Sequence, residues 1–494
     1  MLSQIISLSI NLTNCLNSLT VMDYKDFVSK PKSMLIAPAG YGKTYTISEC
    51  LAYTNGKQLI LTHTHAGIAS IKEKVKKTNP NLNNVSIETI TGFAQKFVLA
   101  YCTPDEIPAP NTNEFYKFVV IRANELFKKR IIREVILASY SGLFVDEYQD
   151  CTETQHALII TLSEILPTRI LGDHLQGIFE FGDDILVDLT ISEKMQGFHD
   201  NQYLLTEPKR WEHHNVALGE SLKIIRSSLE AKVDIDISKH PSIEVIIAPE
   251  ADLFNIKKDY AKKIWSLQKE RSLLIIHPDT SSINPRRKVM SAFKNSFHLI
   301  EAIDDKDFYK ISTLLDNSKT ENIEKSLRDI CYQLFSKSQL NKWFNDKGLV
   351  NKKKLDEIAL IAPVKKLLEQ YKIDNSFLVI SNMLREVQRL PDMSCYRTEL
   401  LASLLRSLEN AHNDLITVTE AMTKRRNQIR RMGRSVDGRC IGTTLLTKGL
   451  EFDTVVILNA HKFKCPKNLY VALTRAKKRL IVCTEKQILS PYKN

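Results

Sequence analysis

Short apolar runs, each closed by a polar or glycine-rich loop, punctuate this chain. The segment "SMLIAPAGYGKTYTISECLAY" (33–53) reads as strand, tight loop and helix, and "KQLILTHTHAGIASIKEKVKK" (57–77) repeats that order. "GLFVDEYQD" (142–150) and "TRILGDHLQGIFEF" (168–181) each set an apolar strand directly before a polar loop. A helical stretch over about 93–139, interrupted by Pro104, Pro108 and Pro110, reads as an insertion between these units. Further strands are expected at "SIEVIIAP" (242–249), "RSLLIIHPD" (271–279), "DTVVILNA" (453–460) and "RLIVCT" (479–484). Residues 300–430 have a mostly helical pattern with scattered lysine and arginine. Strands alternating with helices predict parallel sheets, whose strand ends gather ligands along one edge.

The predicted fold is therefore α/β, with two cores, each with a helical insertion. The boundaries read as a leader over 1–22, a first core over 23–200, a second core over 201–299 and 431–494, and a helical insertion over 300–430. The leader carries no charge, lacks a basic n-region and is broken by Ser, Asn and Thr, so it does not read as a signal peptide. An amphipathic leader, or an upstream start with Met22 as the alternative initiator, is expected.

Composition narrows the class. At 494 residues the chain is too long for one ordinary core. A formal charge of +12 favours a polyanionic partner, nucleic acid before an anionic membrane. The nine cysteines are scattered and form no CxxC pair, which argues against zinc and for a reducing compartment. No apolar run approaches the ~20 residues of a membrane span. A cytoplasmic protein without a membrane partner is expected.

The loop "APAGYGKT" (37–44) departs from G-x-x-x-x-G-K-[ST] only by Ala37. Gly40 and Gly42 let the backbone wrap with its N–H groups inward, and the following helix N-terminus adds its dipole. Nucleotide-binding candidates are Ala37, Pro38, Ala39, Gly40, Tyr41, Gly42, Lys43, Thr44 and Tyr45. Lys43 is placed to reach the β- and γ-phosphates, and Thr44 to hold Mg²⁺. In "VDEYQD", Asp146 ends an apolar strand, where a carboxylate reaches the same Mg²⁺, and Glu147 is placed to polarise water.

"APAGYGKT", "LTHTHAG", "VDEYQD", "LGDHLQGIFEF", "TTLLTKGLEFDTVVI" and "LYVALTRAKKRL" follow one another over residues 37–482. In this the chain resembles the UvrD/Rep-like helicases of superfamily 1. The resemblance implies two RecA-like cores, ATP hydrolysis with Mg²⁺ and 3′→5′ movement on single-stranded or tailed DNA. It gives Gln176 a contact to the γ-phosphate and water, and makes Arg210 and Arg475 the arginines that neutralise charge developing on that phosphate. Glu451 is the residue expected at the nucleotide sugar, and Gly449 permits close backbone approach. His63, Thr64, Thr89 and Phe181 are the DNA-binding candidates, Phe179 standing beside the last. Lys477, Lys478 and Arg479 read as a solvated basic helix face, and "KRRNQIRRMGR" (424–434) as a surface able to bind phosphates.

The chain departs from the family at several places. No glutamine stands about twenty residues before the loop to read adenine, and the aromatic expected before Arg210 is Lys209, so Trp211 becomes the candidate ring for the base. Gly182 follows Phe181, and Thr91 and Leu445 replace histidines near DNA. The insertions are short. These features open a second reading, a DNA-stimulated ATPase that regulates a partner nuclease, similar to the helicase-like component of Gabija-type anti-phage systems. A third reading, action on RNA, stays open because nothing in the sequence reads a 2′-hydroxyl. Too little chain follows residue 484 for a nuclease domain, so no cutting activity is expected.

Overall fold

The computed structural model describes residues 20–78, 84–109, 113–179, 184–293, 296–300, 305–318, 320–432, 436 and 438–492. They divide into two compact units. The first comprises Met1–Tyr260, Arg431–Ser435 and Thr447–Asn494, and the second Ala261–Arg430 and Val436–Leu446.

In the first unit, strands β1 (Thr20–Val21), β2 (Lys32–Ile36), β3 (Gln58–Thr62), β4 (Val85–Thr89), β5 (Gly142–Val145), β6 (Thr168–Gly172) and β7 (Gln202–Leu204) form one parallel sheet. Its order is β1-β7-β2-β6-β5-β3-β4. The central strands are apolar on both faces and buried throughout, as a sheet covered by helices requires. Because every pair is parallel, the loops after β2, β3, β5 and β6 emerge at one edge. That edge carries Lys43, His63, Asp146 and Gln176.

One expectation changes here. β7 pairs with β2 (Leu35 opposite Tyr203), so the segment just past residue 200 completes the first sheet and does not begin a second core. The expected insertion over 93–139 is helical and packs on the sheet. It folds as helices Ile90–Tyr101, Asn113–Phe127 and Arg130–Ser139, and Phe93, Val98, Val119 and Phe127 share one apolar cluster with Leu59 and Leu143. Apolar side chains at helical spacing give these helices a buried stripe, and the sheet is the surface that covers it. β1 lies at the end of the leader and pairs with β7, while residues 1–19 lie outside the described residues.

The first unit continues with β8 (Ile235–Asp236) and β9 (Ile243–Ile247). The second unit holds β10 (Leu273–Ile276), β11 (His298–Leu299), the hairpin β12 (Phe344–Asn345) and β13 (Gly348–Leu349), and β14 (Arg439–Gly442). Then β15 (Phe452–Ile457), β16 (Ala476–Thr484) and β17 (Ile488–Leu489) return to the first. β16 lies between β15 and β9, all parallel, and helices Val216–Glu230 and Pro466–Leu473 accompany them. In the second unit β14 pairs in parallel with both β10 and β11. The fold is thus α/β with helix-flanked parallel sheets, as expected of RecA-like cores. The rest of the second unit is helical over residues 305–432, around a core that includes Leu327, Ile330, Tyr371, Met383 and Leu404.

The basic stretch "AKKRL" also differs from its reading. The helix ends at Leu473, and residues from Ala476 onward are strand. Pairing on both edges of β16 fixes the extended backbone, so Lys477, Lys478 and Arg479 are no helix face. They meet Glu451 at 3.2 Å, Asp453 at 2.9 Å and Glu244 at 2.8 Å. Among the described residues, no helix is long and apolar enough to cross a membrane.

Candidate nucleotide site

The phosphate loop leaves β2 at Ala37, whose N–H donates to the Gly172 carbonyl at 2.9 Å and ties the loop to β6. Gly40 (φ 81°) and Gly42 (φ 90°) take the left-handed backbone that a side chain disfavours. At Gly40 space is lacking as well: a Cβ there would lie 2.7 Å from the Trp211 ring. Helix Lys43–Cys50 starts directly behind Gly42, so its free N–H groups face the loop. A glycine cradle at a helix start suits an anion.

Trp211 is not available to a base. It is 1% exposed, packs on Gly40 and donates from Nε1 to the Ala476 carbonyl at 2.8 Å. The sequence made it a stacking ring; burial makes it the floor of the loop. Tyr45, one turn into the helix, is half exposed, and Tyr41 is buried.

Lys43 is buried and lies 2.5 Å from Glu147 and 3.5 Å from Asp146. Burial works against its charge, but the two carboxylates outweigh it and hold its pKa above the ordinary value. Burial likewise pushes both acids up. For Glu147, Lys43 and Lys448 reverse this and bring its pKa down to about 2, whereas Asp146 stays raised. Glu147 sits at φ 55°, a strained conformation for a non-glycine residue, and the Gln149 amide donates to its Oε2 at 2.5 Å.

The Thr44 hydroxyl and the Asp146 carboxylate are hard oxygen donors, the chemistry Mg²⁺ requires. Among the described residues no cluster of three His, Cys, Asp or Glu forms a metal cage.

Gln176 belongs to a buried network absent from the sequence reading. Its amide donates to Asp173 at 2.8 Å. Asp173 is fully buried and paired with Arg226 at 2.8 Å. Arg226 also donates to the Tyr470 hydroxyl at 3.0 Å, and the Ala39 N–H of the phosphate loop donates to the same hydroxyl at 3.2 Å. Gln149 closes a second connection by accepting from the Asp173 N–H at 3.0 Å while its amide holds Glu147. The loop, the acids and Gln176 are therefore one hydrogen-bonded assembly. Arg226 gave no sequence signal, and for Tyr470 the available signal was its place in "LYVALTRAKKRL"; the two meet through the fold.

That network carries a pH dependence. Burial raises the Asp173 carboxyl, but Arg226, His174 and the Gln176 amide outweigh it and hold its pKa below the ordinary value. A depressed carboxyl contributes stability above its unfolded pKa of about 3.9, and loses it as pH falls through the folded value. Asp173→Asn should lower the melting temperature by several degrees at pH 7, since buried Arg226 loses its fully buried carboxylate and keeps Glu230 at 2.9 Å. The gap between the two proteins should shrink as pH falls below about 4. Thermal melts across pH 3–7 check this; a constant gap would mean that the carboxylate charge is not what matters.

Arg210 and Arg475 lie close enough to influence each other, and they differ in partners. Arg210 pairs with Glu451 at 2.6 Å and donates to the Thr474 carbonyl. Glu451 is thus held by Arg210 and Lys477, which outweigh burial and keep its pKa low. Arg475 is 2% exposed and donates to the carbonyls of Val471 (2.9 Å) and Leu450 (3.2 Å) and to the Thr474 hydroxyl (3.2 Å). Burial and the neighbouring Arg210 pull its pKa down to about 10, so it is charged at neutral pH. Within the described residues its hydrogen-bond acceptors include no carboxylate. Gly449, at φ 82°, leaves open space where a Cβ would stand.

The nucleic-acid candidates fall in three places. The Thr64 and Thr89 hydroxyls each accept an N–H at a helix start, from Gly67 (3.0 Å) and Gly92 (2.9 Å), which leaves their own hydrogens to donate. His63 is half buried beside Cys151 (3.6 Å) and within reach of Glu147. Burial takes its pKa down to about 4, so it is neutral at pH 7. Phe181 lies outside the described residues; Phe179 packs under Lys448, whose Nζ is 4.3 Å from the ring centre. Lys448 opens "KGLEF" and also pairs with the buried Asp150 at 2.5 Å. Its position in the quoted motif was the available signal for it.

Comparison with known proteins places these features. A model described as an AAA domain matches residues 24–182, and one described as the viral superfamily 1 RNA helicase core domain matches residues 392–484. No curated protein matches the chain. Among solved structures, an Arterivirus nonstructural protein 10 helicase in complex with DNA is similar at 10% identity and a TM-score of 0.34. The match covers 91% of this chain and 60% of that one, so the chain spans about 60% of that helicase's length. The phosphate loop and both acids thus lie within the AAA match, and Arg475 within the match to a superfamily 1 helicase core.

Proposed function

We propose that this protein is an ATP-dependent translocase of the superfamily 1 helicase type that moves 3′→5′ along single-stranded DNA in the UvrD-like manner. The observation that carries the reading is buried Lys43, set between Asp146 and Glu147 at the start of a helix behind a glycine cradle. On nucleotide binding Lys43 turns to the phosphates. Glu147 then loses the cation that holds its pKa near 2 and becomes a stronger base for the attacking water. Gln176, fixed by Asp173, orients that water. A bound Mg²⁺ supplies positive charge at the phosphate oxygens, with Thr44 and Asp146 to hold it. Arg475 and Arg210 complete the cationic side, Arg210 after exchanging Glu451 for phosphate.

The match to a viral RNA helicase core favours a second reading, in which the strand is RNA. Strand displacement decides between them, using 3′-tailed and 5′-tailed duplexes made of DNA and of RNA. Displacement of 3′-tailed DNA alone is expected. Displacement of 5′-tailed substrates would reverse the polarity, and displacement confined to RNA would establish the second reading. DNA-stimulated hydrolysis with no displacement would instead favour a sensor subunit that controls a partner nuclease.

A further inference from the structure

Tyr470 holds a proton for which the described residues provide no acceptor. Its hydroxyl makes two hydrogen bonds, and in both it accepts: from the Ala39 N–H at 3.2 Å and from Arg226 Nη1 at 3.0 Å. Neither group can take a proton in return, since an amide N–H and a guanidinium are donors only. The side chain is 2% exposed, so bulk water does not fill the gap. A phenol keeps its hydrogen at neutral pH, and here burial pushes the pKa up to about 12. A buried donor left without an acceptor is costly, and a ligand oxygen placed beside it recovers that cost.

The position of the hydroxyl indicates the ligand. It touches the third residue of the phosphate loop, and Arg226 and Asp173 connect it to Gln176. We propose that Tyr470 is a phosphate-binding residue, donating its phenolic hydrogen to a γ-phosphate oxygen of the nucleotide in loop 37–44. The inference rests on the nucleotide reading above and adds to it a neutral donor that distinguishes a triphosphate from a diphosphate. Arg226 is the positioning residue: its bonds to Tyr470 and Asp173 set the direction of the phenol.

The test is the affinity of the intact chain for ATP and for ADP, measured with fluorescent analogues of each, in the natural protein and in Tyr470→Phe. One neutral hydrogen bond corresponds to roughly a tenfold change at most. ATP affinity should fall about five- to tenfold while ADP affinity stays within twofold. Equal constants for the two proteins would overturn the inference, and so would equal weakening of ATP and ADP, the signature of a loop that has merely lost the partner of Ala39. A natural protein that binds neither nucleotide would overturn the nucleotide reading itself. If Tyr470→Phe does not fold, 3-fluorotyrosine at position 470 keeps the hydroxyl and makes it a stronger donor. The ATP-to-ADP preference must then rise, and an unchanged preference would overturn the inference.

Discussion

Lys43→Ala is expected to slow ATP turnover by roughly 10³-fold or more, to the limit of detection, because it removes the cation aimed at the transferred phosphoryl group. The structure adds a second expectation. Lys43 pairs with both Asp146 and Glu147, and its loss sets two adjacent acids against each other. Their pKa values then rise, and the folded variant binds more protons than the unfolded chain through the weakly acidic range. Stability of the variant should therefore fall as pH rises from about 4.5 towards 7, whereas the natural protein keeps the contribution of ionised Glu147 over that range. Phosphate release and pH-resolved thermal melts read the two effects separately. Normal turnover would remove Lys43 from the chemistry.

Arg475→Ala should also lower turnover by about 10³-fold, the scale of an arginine that neutralises transition-state charge. Here nucleotide affinity should change little. Arg475 is a buried charge that, among the described residues, donates to two carbonyls and a hydroxyl, so a ligand oxygen finds it already desolvated and fixed. That preorganisation acts on charge that develops during reaction more than on the ground state. Arg475→Lys should recover little of the rate, because an ammonium lacks the planar fork that spans the backbone acceptors and a phosphate together. Single-turnover rates beside equilibrium binding separate the two effects. Equal losses of rate and affinity would make Arg475 a binding residue and no more.

What the sequence revealed follows from how local each signal is. The phosphate loop, Asp146 and Glu147 were legible because strand, loop and helix lie within a few residues of each chemical group. The buried strands β3, β5 and β6 were legible as short apolar runs. β7 was not, since a three-residue strand has no periodicity to detect. The helices over 90–139 were legible as a helical insertion, but their apolar stripe does not reveal which surface covers it. The basic residues after Arg475 showed a helical charge pattern, yet pairing with β15 and β9 decided their backbone. Trp211 was assigned to the base by its neighbourhood in the chain, whereas its neighbourhood in space is Gly40 and Ala476. The Tyr470–Arg226–Asp173 network joins residues hundreds of positions apart, so only the fold assembles it.

The account stands on nucleotide hydrolysis driven by this site and controlled by a single strand. The direct measurement is the rate of phosphate release from ATP by the intact chain with Mg²⁺, with and without single-stranded DNA. The account predicts slow release alone, a rise of tenfold or more on adding the strand, and none in Lys43→Ala with or without it. Release that the strand leaves unchanged, or that survives in Lys43→Ala, would contradict it.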